Sequence, residues 1–148
     1  MAISETAPAA DTGGGTLVRE ETVGHVRRLT LDDAKRRNLL TEAMMADLKA
    51  ALDRAAADDA VRCVVIAAEG PAFSAGHDLK GMTAHRTDPD GGRGYFEALF
   101  AQCSALMEGI AANPRPIVAE VGAVAAAAGC QLVAACDLAV ASEHARFG

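Results

Sequence analysis

The order of apolar and polar segments predicts an α/β fold with a mainly parallel sheet. Three observations predict it. Residues 61–67 and 117–121 are short, nearly continuous apolar runs, as in strands buried on both faces. Two longer stretches carry apolar residues at helical spacing, which marks amphipathic helices. The succession strand, helix, strand, helix, strand, helix, strand calls for right-handed crossovers between parallel strands.

Each element has its own local reason. Residues 16–22 and 25–31 are β-rich runs around Val23-Gly24 and read as a hairpin. Residues 32–38 form a charged loop with three consecutive cations, Lys35, Arg36 and Arg37. Thr41 suits an N-cap. After it Met44, Leu48, Ala51, Leu52 and Ala55 share one stripe, so a helix is expected over 42–57, ended by Asp58 and Asp59. Val64, Val65 and Ile66 lie in the next strand, followed by a loop of Gly and small residues over 69–76. Residues 83–94 are polar and Gly-rich and read as a mobile loop. Tyr95, Leu99, Cys103, Leu106 and Ile110 line a second helix, which Asn113-Pro114-Arg115-Pro116 stops. Residues 117–121 are the next strand, 122–129 a turn of tiny residues, 131–136 a helix and 138–141 a strand. No internal repeat is visible. A sheet ending in that last strand would have one poorly covered edge or face, so the chain is expected to be truncated or covered by another chain.

Composition narrows the function classes. Hydrophobic residues make up 51% and charged residues 23% of 148, an ordinary globular balance for one domain. A net charge of −6 without a basic stripe argues against a nucleic-acid binder. It leaves room for an anionic ligand, which needs only a few local cations. Cys63, Cys103, Cys130 and Cys136 form no CxxC pair, so they read as reduced, buried hydrophobes and no metal is expected. The long apolar run over 121–136 is Ala-rich and interrupted by Gln131, so no membrane span is expected. Residues 1–15 read as a disordered tail, neither a signal nor a transit peptide. A cytoplasmic protein is the resulting expectation, with residues 16–148 as its folded core.

Two loops carry the candidate chemistry. Gly70-Pro71-Ala72-Phe73-Ser74-Ala75-Gly76-His77-Asp78-Leu79-Lys80 follows one buried strand, and residues 122–131 follow the other and open a helix. Glycine and alanine let a backbone come close to a ligand, and free N–H groups at such turns can face an oxyanion or phosphate. Taken alone, such a strand-to-helix turn with Gly is more often structural than functional.

Taken together, Lys35-Arg36-Arg37-Asn38, the FSAGHDLK loop, AAAAGCQL and ACDLAVAS resemble the crotonase superfamily, which includes enoyl-CoA hydratases and isomerases. The likeness runs over 17–148 and is nearest to the divergent enoyl-CoA hydratase domain-containing branch. It implies the N-terminal half of a crotonase-like spiral of ββα units, assembled as a homotrimer or hexamer. It implies an acyl-CoA thioester ligand in fatty acid metabolism, with coenzyme A as part of the substrate and no tightly bound cofactor. The backbone N–H groups of His77 and Ala128 would polarise the thioester carbonyl, and the His77 ring would line the pocket. Ala75, Asp78 and Leu79 would enclose the adenine end. Lys80 and the Lys35, Arg36, Arg37 trio would meet the phosphates.

The sequence also departs from that family. Gln131 stands where hydratases carry the first of two catalytic glutamates, and an amide does not exchange a proton as a carboxylate does. The second glutamate would fall just beyond Gly148. Gly122-Ala123 replaces the usual Asn-Gly. A hydratase- or isomerase-type enzyme and an acyl-CoA-binding protein without turnover are therefore both open. A serine hydrolase using Ser74 is a third reading, although Ser74 lacks a GxSxG context.

Overall fold

The computed structural model describes residues 15–148. The disordered tail expected over 1–15 lies outside them, apart from Gly15. The chain begins with an antiparallel hairpin, β1 (Val18–Val23) and β2 (Val26–Leu31). Its turn is Gly24-His25, one residue later than expected, with Gly24 at φ 59°. Then follow α1 (Glu42–Ala57), β3 (Cys63–Ala68), β4 (Ala72–Ser74), α2 (Leu79–Ala84) and α3 (Arg93–Ala111). The remainder is β5 (Ile117–Val121), β6 (Val124–Ala125), α4 (Ala128–Ala135), β7 (Leu138–Ala141) and β8 (Arg146–Phe147).

Two sheets result. The larger has the order β1-β2-β3-β5-β7, parallel from β2 onward. The smaller, β4-β6-β8, is parallel throughout. Each of β3, β5 and β7 is followed within a few residues by a strand of the small sheet. The chain thus spirals, laying one strand in each sheet per turn before a helix carries it back. The absence of a sequence repeat is no obstacle, because what repeats is the path of the backbone. Small strands such as Val124–Ala125 place too little demand on residue type to leave a period.

The core lies between α1, α3 and the large sheet. Leu29, Leu31, Met44, Met45, Leu48, Leu52, Ile66, Leu106, Ile110 and Ile117 are fully buried there. Burying each such side chain stabilises by about 1.5–3 kcal/mol before entropy is counted. Thr41 caps α1 as expected, its side chain accepting from the Met44 N–H at 3.2 Å.

Three local expectations are corrected. The loop over 69–76 contains β4, whose three residues pair in the second sheet; a strand that short is below what side-chain alternation can signal. The loop over 83–94 holds the end of α2, a 3-10 turn at His85–Thr87, and a turn held by the Asp90 carboxylate. Asp90 accepts from Gly92 and Gly94 at 2.9 and 2.8 Å, and these bonds hold its carboxyl below the usual range, that from Gly94 most. The helix expected over 131–136 begins three residues earlier, at Ala128.

Candidate functional site

The two candidate loops meet because β4 and β6 are neighbours in the small sheet. The Ala126 N–H donates to the Ser74 carbonyl at 2.9 Å. Gly129 then approaches so closely that a Cβ there would lie 2.3 Å from the Ser74 carbonyl oxygen. Gly76, at φ 89°, faces the same turn: a Cβ would lie 3.1 Å from the Ala127 Cβ and 3.3 Å from the Ala128 nitrogen. Only glycine fits these two contacts.

The backbone around this junction is unusual. Arg37, Asn38 and Ala127 are the non-glycine residues with positive φ among those described, and all three border the two loops. Such conformations persist only where the surroundings hold them. Asn38 is fully buried. Its Nδ2 donates to the carbonyls of Glu69 and Ala72 at 2.8 and 2.9 Å, and its Oδ1 accepts from the Asp33 N–H at 2.8 Å. The Arg37 carbonyl in turn accepts from the Ala75 N–H at 3.1 Å. The Ala127 N–H donates to the Gly148 carbonyl at 2.6 Å. The role of Asn38 was missed in the sequence; an Asn directly before an apolar run is a weak sign of the left-handed conformation that Asn tolerates.

Among the described residues, the N–H groups of His77 and Ala128 donate no hydrogen bond to the protein. Ala128 is the first residue of α4, and the Ala127 cap supplies no side-chain acceptor, so this donor is one a helix start leaves open. The His77 ring Nδ1 lies 3.1 Å from the Leu40 carbonyl, which requires the proton on Nδ1. Its edge meets Phe100 at 6.0 Å between ring centres. Gln131 is exposed on α4, and its side chain makes no hydrogen bond among the described residues. Ser74 is fully buried, and its hydroxyl accepts from the Gly76 N–H at 3.2 Å. It shapes the turn and is sealed from any substrate, so the hydrolase reading falls.

The expected coenzyme A residues divide into groups. Arg36, Asp78 and Lys80 line one pocket of about 610 Å³ with Leu39, Gly81 and Ala84. Arg37 and Ala75 line another of about 410 Å³, with Pro71, Ala72, Val124 and Ala126. Lys35 and Leu79 are exposed and line neither. Asp78 caps α2 through the Gly81 N–H and pairs with Arg36 at 2.8 Å. Burial pushes the Cys136 thiol up to about 12, with Asp137 adding to the effect, and burial also raises that of Cys103. All four cysteines are free. No helix among the described residues is long and apolar enough to cross a membrane.

Comparison with known proteins adds the family context. Residues 21–148 match the family described as enoyl-CoA hydratase/isomerase. The human mitochondrial enoyl-CoA hydratase domain-containing protein 3 is 43% identical over 122 residues, which are 82% of this chain and 39% of that protein. Its crystal structure superposes with a TM-score of 0.81 at 38% identity, covering 89% of this chain and 50% of that one. An enoyl-CoA hydratase from Mycobacterium smegmatis gives a TM-score of 0.81 at 48% identity with the same coverage. The chain thus spans half or less of the length of these relatives. The expectation of a cytoplasmic protein is overturned by these matches, since the human, rat and mouse relatives are all named as mitochondrial proteins. Composition and cysteine usage reflect redox conditions and folding, which do not distinguish the two compartments.

Proposed function

The chain belongs to the enoyl-CoA hydratase/isomerase family, and on that premise we propose that it binds an acyl-CoA thioester and stabilises its enolate. The observation that carries this reading is the pair of N–H groups, His77 and Ala128, that are unpartnered among the described residues, on two turns packed against each other through Gly76. A thioester carbonyl oxygen set between them would gain charge as the enolate forms, and each donor would contribute about 3 kcal/mol to that state. Both donors are main-chain atoms held by glycine contacts and by the bend at Ala127, so they need no reorganisation when charge develops. The His77 ring is tied to the Leu40 carbonyl and meets Phe100 edge-on, which holds the ring clear of the N–H donor. Arg36 and Lys80 beside one pocket suit the phosphates of coenzyme A.

The reaction proposed first is of the hydratase or isomerase type. The second reading is acyl-CoA binding without hydration, and Gln131 favours it. Its amide can orient a water but cannot take up and return a proton near neutral pH. Crotonyl-CoA added to the protein carrying this chain separates the two. Binding with hydration supports the first reading, and binding without it supports the second. Failure to bind would sink both. In the second case Gln131→Glu is expected to raise the hydration rate by at least about tenfold. The homotrimer or hexamer belongs to the same proposal and is read by sedimentation.

A further inference from the structure

We infer that Asp78 is a positioning residue that holds Arg36 for an anionic ligand, rather than a ligand contact itself. This rests on the acyl-CoA reading and adds how its phosphate-binding end is organised. A carboxylate in a pocket meant for phosphates is electrostatically out of place, which calls for a reason.

The geometry supplies one. The Asp78 carboxylate has two separate engagements. Oδ1 accepts from the Gly81 N–H at 3.1 Å, fixing the start of α2. Oδ2 accepts from Arg36 Nη2 at 2.8 Å. Gly81 leaves room for this, because a Cβ there would lie 3.1 Å from Oδ2. On its other side Arg36 Nη1 is 3.9 Å from the Asp33 carboxylate. The guanidinium is therefore held between two carboxylates, with only Nη2 used at hydrogen-bond distance of Asp78. Arg36 belongs to a 3-10 turn, Ala34–Arg36, that follows the hairpin, and Lys80 belongs to α2. The Asp78–Arg36 pair joins these two segments across the pocket that both cations line. Half-exposed arginine side chains are costly to order. An arginine already held in place presents its remaining donors to a phosphate with less entropy to lose, and its planar fork makes orientation matter.

Asp78→Asn is the informative variant, because Asn caps a helix as well as Asp does while the charge that holds Arg36 is gone. The probe is adenosine 3′,5′-bisphosphate, titrated by calorimetry. Asp78→Asn is expected to raise Kd about tenfold, and the same substitution in an Arg36→Ala background is expected to change Kd less than about twofold. The Arg36 Nε–H signal in NMR of the free protein is expected to lose its ordered character in Asp78→Asn. Equal or tighter binding by Asp78→Asn overturns the role of Asp78, since it would then only repel the ligand. A tenfold loss that persists without Arg36 overturns it as well. If Asp78→Asn does not fold, Arg36→Lys takes its place: the charge stays but the fork is lost, and unchanged binding again overturns the inference. Wild-type protein that does not bind the probe would instead sink the acyl-CoA reading on which the inference stands.

Discussion

Single residues decide how the two loops fit together. Asn38 joins three segments: the loop at Asp33, Glu69 just after β3 and the start of β4 at Ala72. Asn38→Ala would leave one buried N–H and two carbonyls without these partners. It would also put Ala at φ 50°. A loss of about 3 kcal/mol is expected from these terms together, read as a lower urea midpoint at unchanged slope. The chemistry-bearing residue types were visible in the chain, but Asn38 was not singled out, because burial of a polar side chain depends on residues 34 positions away. Gln131 is the opposite case. Its departure from a carboxylate is visible in the sequence alone, and the structure adds only that it is exposed on α4.

At the scale of elements, the contact between β4 and α4 is the tightest joint of the site. Gly129→Ala would drive a methyl group into the Ser74 carbonyl 2.3 Å away. The backbone cannot yield as a flexible side chain does, so β4 and α4 would separate. The expected cost is about 2 kcal/mol, with binding of crotonyl-CoA weakened together with the unfolding midpoint. α1 was legible in full, from the Thr41 cap to the apolar stripe, because an amphipathic helix of that length declares itself in its own residues. β4 and β6 were not legible. They hold three and two residues, and their pairing is decided by where β3 and β5 deliver the chain.

Across the whole molecule, charge pairs connect strands distant in sequence. Arg28 on β2 donates to both carboxylate oxygens of Glu120 on β5, at 2.6 and 2.7 Å, over the intervening β3. That hydrogen bond holds the Glu120 carboxyl below its usual range. Because the folded value is depressed, the pair stabilises above the unfolded carboxylate pKa of about 4.3. The benefit fades as pH falls through the folded value. Both side chains are more than a third exposed, so screening limits it to about 1 kcal/mol. Glu120→Gln is expected to lower stability at pH 7 by that amount, and the difference from wild type should shrink as pH falls below the usual carboxylate range and vanish once Glu120 is protonated in the folded state, as measured by urea unfolding. On the far edge of the same sheet, β7 leaves Leu138 and Val140 65% and 64% exposed. By itself the sequence determined the α/β class, the order of the main strands and helices, and the family, because these follow from local periodicity and from motifs short enough to be read in place. Only the tertiary structure decided that the small strands form a second sheet, that Asn38 joins the loops, that Arg36 is held by Asp78, and that the His77 and Ala128 N–H groups find no partner among the described residues. Each of these depends on backbone atoms brought together from distant parts of the chain, and residue types alone carry no record of that meeting.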